Sequence, residues 1–165
     1  MAANDLIHVT RWHNGEKSFS PFSDGEMARR RDTMQACMDD AGIDACLFTS
    51  YHNICYFSGF LYCKFGRRYG AVLNSDGVTT LSAGIDGGQP WRRSVGDNVT
   101  YSDWRRDSYF IALKDLLVGV KRLGIEFDEV NLDLKTLLEI HFPEVELLDC
   151  AATAMTLRTI KSPEE

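Results

Sequence analysis

Several features that define common protein classes are missing from this sequence of 165 residues. No uncharged apolar stretch approaches the roughly 20 residues that a membrane-spanning helix requires, so no transmembrane helix is predicted. The first residues, Met1–Asp5, lack the basic segment and apolar run of a secretory signal. There is no internal repeat and no low-complexity tract. We therefore expect a cytoplasmic protein that does not bind a membrane.

Motifs for metal, phosphate and nucleophile chemistry are also absent. The five cysteines form no Cys-x-x-Cys pair and the four histidines no His-x-x-x-His pair, so no metal site is predicted. Residues 84–88 are glycine-rich, but they match neither phosphate-binding glycine motif and indicate a tight turn. No Gly-x-Ser-x-Gly motif occurs, and no complete catalytic set is found. The residues give no indication of a cofactor.

The histidines and cysteines therefore receive structural interpretations. His52 is expected to be half-buried and hydrogen-bonded, and His141 to cap the end of a helix. The cysteines are expected to be reduced thiols packed as small apolar side chains, with a reactive thiol as the alternative.

Composition and charge indicate an ordinary globular domain. Hydrophobic residues make up 44% of the chain and charged residues 25%, which excludes a disordered tail, a collagen-like fibre and a coiled coil. The net charge of −6 makes nucleic-acid binding unfavourable, because a phosphate backbone needs a basic face. The simplest interpretation of the acidic charge is solubility.

The pattern along the chain predicts an α/β fold. Residues 1–22 are polar and unpatterned, which indicates an arm that lies on another surface or is partly loose. Ser23 with Glu26 predicts the start of a helix that ends at Gly42, and Asp133 is predicted to cap a later helix. Strands are predicted over 45–48, 69–73, 78–81, 99–101, 124–127 and 146–149, and helices over 51–57, 107–120, 133–140 and 151–160, with a helical turn at 91–95. Early hairpins and late strand–helix alternation predict a single domain with a mixed sheet of about six strands flanked by helices.

Arginine doublets are the unusual feature of this acidic chain. They are Arg67-Arg68, Arg92-Arg93 and Arg105-Arg106, all beside aromatic residues. One interpretation is that they are solvated and pair with nearby acids such as Asp103 and Asp107. The loop over residues 60–67 is a better candidate for recognition, because it combines glycine and aromatic residues with a fixed positive charge. It suits a small anionic ligand or a partner surface.

Four blocks of the sequence closely resemble the creatinases, the creatine amidinohydrolases of the creatinase/prolidase/aminopeptidase P pita-bread family. They are Phe48–Ile54, Phe60–Arg67, Ile85–Arg93 and Ile160–Glu165. The last block is shared more widely with prolidases and aminopeptidases P. The resemblance runs from about residue 19 to the C-terminus, and it implies a creatinase/prolidase-type N-terminal domain with a ribonuclease H-like motif.

The resemblance also implies that catalysis belongs to a second domain. Creatinases have about 400 residues, and a second domain holds the acid–base histidine and the substrate-binding glutamates. This chain is then expected to consist of an arm (1–22), the N-terminal domain (23–160) and the start of a linker (161–165). The family hydrolyses creatine to sarcosine and urea without a metal ion or other cofactor, whereas the related peptidases bind two metal ions.

In the family's homodimer, the N-terminal domain of one subunit reaches over the active site of the other. The resemblance therefore assigns Phe65 and Arg67 to binding creatine or a similar small guanidino acid, with Arg67 pairing with its carboxylate and Phe65 lining the pocket. Lys64 and Gly70 depart from the expected family pattern, and they bear on the exact substrate. Two alternatives stay open, a non-catalytic protein-interaction domain and an accessory domain of a prolidase or aminopeptidase P-like metallopeptidase.

Overall fold

A single mixed sheet organises the computed structural model, which describes residues 9–13, 15–63, 66–102 and 107–165. The seven strands described lie in the order β1-β5-β4-β3-β2-β6-β7. Their bounds are β1 Val9–Thr10, β2 Ala45–Phe48, β3 Gly70–Asn74, β4 Gly77–Ala83, β5 Asp97–Tyr101, β6 Arg122–Ile125 and β7 Glu146–Asp149. The helices described are α1 Asp24–Ala41, α2 Tyr51–Ser58, α3 Gln89–Arg93, α4 Ser108–Leu116, α5 Leu132–His141 and α6 Ala151–Thr159, and a 3₁₀ turn covers Gly84–Asp86.

Five strands end at the same edge of the sheet. The pairs β2–β6, β6–β7 and β4–β5 are parallel, whereas β3 runs antiparallel to both of its neighbours. Strands β2, β4, β5, β6 and β7 therefore finish where β3 begins. We call this edge the carboxyl edge, and it carries the loops that matter for function.

Helices cover both faces of the sheet. Leu47, Val72 and Leu81 point into a cluster with residues of α4 and α5. Cys46, Phe48 and other sheet residues point to the opposite face and pack against α1, α2 and α6. All four residues of β2 are buried. A continuous apolar run of this kind is typical of a strand that is covered on both faces of the sheet. The prediction of an α/β domain with a mixed sheet is confirmed.

The predicted bounds of α1 are confirmed by its caps. The Ser23 hydroxyl accepts a hydrogen bond from the Glu26 backbone N–H at 3.1 Å, and Gly42 adopts a left-handed conformation with φ of 63°. The prediction for α5 is wrong by two residues: Asn131 is the N-cap and accepts from the Leu134 N–H at 2.8 Å. Asp133 instead lies in the first turn, where a carboxylate favours the helix dipole.

The arm supplies a strand that the sequence did not predict. Val9–Thr10 pairs with β5, and Arg11 and His13 both contact the Asp97 carboxylate, at 2.5 and 2.7 Å. Lys17 donates to the carbonyls of Trp91, Ser94 and Gly96. The described part of the arm therefore lies on β5 and α3.

The C-terminal residues contact the start of α1. The Ser23 hydroxyl donates to the Glu164 carboxylate at 2.6 Å, and Arg30 pairs with Glu165 at 3.2 Å. Arg30 also donates to the Glu26 carboxylate at 2.7 Å. Its guanidinium lies over the rings of Phe22 and Tyr56, an arrangement that suits a planar cation.

Two expectations for single residues meet different outcomes. His52 is exposed on the outer side of α2, so the expectation of a half-buried histidine is wrong. The His141 ring lies in the last turn of α5 and stacks on Phe110, with 4.5 Å between ring centroids.

All five cysteines are free, and Cys46 and Cys150 are buried. No helix in the described ranges is both long and apolar enough to cross a membrane.

Candidate functional site

The predicted recognition loop lies at the carboxyl edge of the sheet. It connects α2 to β3, and residues 60–63 and 66–68 of it are described. Because β3 begins at the edge where five strands end, this loop is next to the loops that follow β2 and β6. Ligands of open α/β sheets bind outside the carboxyl ends of the strands. The fold therefore favours this edge as a candidate binding site.

Stacked aromatic rings fix the first half of the loop. Tyr62 stacks on Tyr69 with 4.3 Å between centroids, on Phe60 at 5.1 Å, and contacts Tyr51 at 5.2 Å. The Tyr69 hydroxyl donates to the Asp86 carboxylate. Burial raises the pKa of Tyr62 and of Tyr69, so both hydroxyls stay neutral at physiological pH.

Protein contacts of Arg68 fix the second half. Its guanidinium donates to the Asp133 carboxylate at 2.5 Å and lies over the Phe110 ring, 5.7 Å from the centroid. Its backbone carbonyl accepts a hydrogen bond from the Tyr101 hydroxyl at 2.8 Å. Arg68 is thus held by α5, α4 and β5 together, at the place where the loop enters β3.

The two arginines of this doublet have different surroundings. Arg67 is exposed, while Arg68 is only partly exposed. Before Arg67 the chain passes through Gly66, whose φ of 67° is in the left-handed region that glycine tolerates best. An exposed guanidinium on a loop that is anchored on both sides is chemistry suited to binding an anion.

Only part of the predicted site can be located. Phe65 and Lys64 lie outside the described residues, as do Asp103 and the doublet Arg105-Arg106. Arg68 pairs with Asp133 of α5. In the remaining doublet, the Arg92 side chain donates to the Glu16 carbonyl of the arm at 3.1 Å.

Gly70, the second departure from the family pattern, lies where space is tight. A Cβ atom at this position would come within 2.9 Å of the Tyr109 hydroxyl and 3.1 Å of Leu47. A bulkier residue here would require both neighbours to move. Gly70 therefore fits the way that this chain packs beneath the loop.

A buried carboxylate at the same edge was missed by the sequence analysis. Glu126 follows β6 and is 1% exposed. It accepts hydrogen bonds from the Thr49 and Ser50 backbone N–H groups at 2.5 and 2.8 Å, from the Ser50 hydroxyl, and from the Asn53 side chain at 2.6 Å. Arg158 of α6 completes the network by donating to the Asn53 side-chain oxygen at 3.1 Å.

This network has a consequence for ligand binding. The N-terminus of a helix favours an anion, and at α2 the chain's own Glu126 carboxylate takes that position by accepting from the N-cap Ser50 and from Thr49. The signal in the sequence was an acid directly after a short apolar strand, together with the Ser50 cap. The candidate site is therefore the Arg67 loop and not the N-terminus of α2.

Metal sites and open pockets are two other kinds of feature that could bind a ligand. The described ranges contain no group of three or more side chains that could hold a metal ion. A pocket of about 340 Å³ lies where the arm meets the carboxyl edge, lined by Thr10, Trp12, Gly84, Gly87, Thr100, Tyr101 and Ser102. Among the described residues its lining consists of backbone, hydroxyl groups and the Trp12 ring, with no charged side chain.

Comparison with known proteins identifies the family. Residues 30–160 match the model of the creatinase/prolidase N-terminal domain. The chain belongs to this family. Its relative "Creatinase" from Bacillus sp. (strain B-0618) is 45% identical over 157 residues, which cover 93% of this chain and 38% of that protein. The chain thus spans well under half the length of this creatinase.

Solved structures of creatinase/prolidase N-terminal domains share the fold. A proline dipeptidase from Streptococcus pneumoniae superposes with a TM-score of 0.72 at 18% identity, over 79% of this chain and 98% of that one. The N-terminal domain of an X-Pro dipeptidase from Streptococcus pyogenes gives 0.66 at 16% identity, over 81% and 99%. The Pyrococcus horikoshii prolidase gives 0.68 at 20% identity, over 83% and 37%. At such identities the likeness establishes the fold alone.

Proposed function

We propose that this chain is the N-terminal domain of a creatine amidinohydrolase, a hydrolase that converts creatine and water to sarcosine and urea. The observation that carries the proposal is the 45% identity to a creatinase over 93% of the chain. The prolidase structures, at 16 to 20% identity, support the shared fold and do not favour a peptidase.

The domain's proposed role is substrate binding and dimer contact. In a homodimer, Arg67 and Phe65 of one subunit would reach the active site of the other, where Arg67 pairs with the creatine carboxylate. The exposure of Arg67 at the carboxyl edge supports this role. A charge-assisted bidentate contact of this kind stabilises a bound carboxylate by about 1.5–3 kcal/mol.

Catalysis would come from the second domain, which the proposal places after residues 161–165. General acid–base chemistry at the guanidine requires a titratable group within hydrogen-bond reach of the leaving nitrogen. The family resemblance assigns that group to a histidine of the second domain. The 165-residue chain alone is therefore expected to release no urea from creatine above a mock preparation.

Activity of the full-length gene product tests the proposal. The purified protein should release urea and sarcosine in equal amounts from creatine, without added metal and in the presence of a chelator. Chelator-sensitive cleavage of Xaa-Pro dipeptides would instead identify a peptidase. Absence of both activities would favour the interaction-domain alternative.

A further inference from the structure

We infer that Arg68 is a positioning residue that holds the backbone of Arg67 in its substrate-binding place, through a clamp formed by Arg68, Tyr101, Phe110 and Asp133. The inference rests on the proposed function, because Arg67 is there the group that binds the substrate carboxylate. Arg68 itself is not proposed to touch substrate.

The clamp restrains Arg68 at both its main chain and its side chain. The Tyr101 hydroxyl donates to its carbonyl at 2.8 Å, and the guanidinium donates to Asp133 at 2.5 Å while lying over Phe110. These partners come from β5, α5 and α4. A residue tied to three separate elements cannot shift unless one of those contacts breaks.

The other neighbour of Arg67 is a glycine with open space around it. Gly66 has a left-handed φ of 67°, and a Cβ atom built on it would meet nothing within 4 Å. Glycine loses more conformational freedom on ordering than any other residue. The clamp on Arg68 therefore restrains the Arg67 backbone from its C-terminal side, and a preorganised group loses less entropy when it binds a ligand.

The geometry also allows a test that leaves the fold intact. The Asp133 side chain is 61% exposed and that of Arg68 is 32% exposed, so this ion pair contributes little to global stability. Asp133→Ala removes the ion pair that restrains the Arg68 guanidinium without changing any residue of the loop itself. Glu139→Ala is the matched control, because Glu139 is an exposed acid of the same helix that pairs with Lys135.

Kinetics of the full-length enzyme separate positioning from a merely structural role. Asp133→Ala and Arg68→Ala should each raise the KM for creatine about 3- to 10-fold and leave kcat within about 2-fold. Arg122→Ala, which breaks an ion pair with Glu146 at the opposite edge, and Glu139→Ala should leave KM unchanged. In an Arg67→Ala background, Asp133→Ala should have no further effect, since interacting residues are non-additive.

A second measurement on the 165-residue chain keeps the two proposals distinguishable. The ¹⁵N heteronuclear NOEs of Gly66 and Arg67 report backbone order on the ps–ns timescale. They should fall in Asp133→Ala and Arg68→Ala and stay at wild-type values in Glu139→Ala. Unchanged NOEs in the clamp variants, or an unchanged KM where Arg67→Ala raises it, would overturn the inference. If the NOEs fall and Arg67→Ala leaves KM unchanged, the clamp exists but the proposed role of Arg67 is wrong, and with it the substrate-positioning role of Arg68.

Discussion

Replacing Glu126 with glutamine should destabilise the domain strongly, although the two side chains have nearly the same shape. One carboxylate oxygen of Glu126 accepts the Thr49 and Ser50 N–H groups, and the other accepts the Ser50 hydroxyl and the Asn53 amide. An amide has only one oxygen. In one orientation its NH₂ group would face two N–H donors, and in the other it would face the Asn53 amide and the Ser50 hydroxyl, of which only the hydroxyl can turn and accept. The negative charge at the N-terminus of α2 would be lost in both orientations.

The size of the effect follows from these contacts. In the better orientation one charge-assisted hydrogen bond, that from Asn53, is lost, which gives a decrease of about 1.5–3 kcal/mol in the free energy of unfolding. For a domain of this size that corresponds to a fall in Tm of about 3–12 °C. Serine or alanine at this position would add a cavity, so glutamine isolates the polar effect.

Urea unfolding followed by circular dichroism, with a thermal melt, measures this change. Glu139→Gln is the control, because its partner Lys135 and Glu139 itself are about half exposed, and removing such a pair changes stability by less than about 0.5 kcal/mol. If Glu126→Gln lowers the free energy of unfolding by less than about 1 kcal/mol, the network does not hold α2 and the argument is refuted.

Three further stability predictions follow from individual contacts. Tyr109→Phe should raise Tm by about 3 °C, because the Tyr109 hydroxyl is buried and has no hydrogen-bond partner within the described residues; Tyr101→Phe should lower Tm, because its hydroxyl binds the Arg68 carbonyl. Hydrogen bonding from Arg29 lowers the pKa of Glu26 from 4.5 to about 2. The corresponding stability is fully present above pH 4.5 and is lost as the pH falls towards 2. Glu26→Gln should therefore flatten the acid side of the stability profile, measured by urea unfolding at a series of pH values, and an unaltered slope would contradict the assignment.

The parts of the fold that depend on neighbouring residues could be predicted from the sequence. The Ser23 cap, the Gly42 terminus and the buried strand Ala45–Phe48 are set by local side-chain chemistry and hydrophobic pattern. β1 was missed because its pairing partners, Thr100 and Tyr101 of β5, lie far along the chain. The cap of α5 was misplaced because Asn131 and Asp133 are both good N-cap residues, and only the backbone conformation selects between them.

The sequence indicated which loop to consider as a binding site, but not the contacts that hold that loop. Glycine, aromatic residues and arginine in residues 60–67 indicated a recognition loop. The sequence contained no sign that Arg68 is held by protein contacts, because its partners Tyr101, Phe110 and Asp133 come from three distant segments. Glu126 was missed for the same reason, since its donors belong to residues 49–53. Polar contacts between distant residues produce no hydrophobic periodicity in the sequence.

The most direct test of the proposed function is the kcat/KM for creatine of Arg67→Ala in the full-length enzyme. A lost carboxylate contact of about 1.5–3 kcal/mol predicts a decrease of roughly tenfold to hundredfold. Arg67→Lys should recover only part of it, because an ammonium cannot form the bidentate fork. Arg92→Ala, whose side chain contacts the Glu16 carbonyl, should have a smaller effect. A wild-type kcat/KM in a folded Arg67→Ala enzyme would contradict the assignment of Arg67 to the substrate carboxylate.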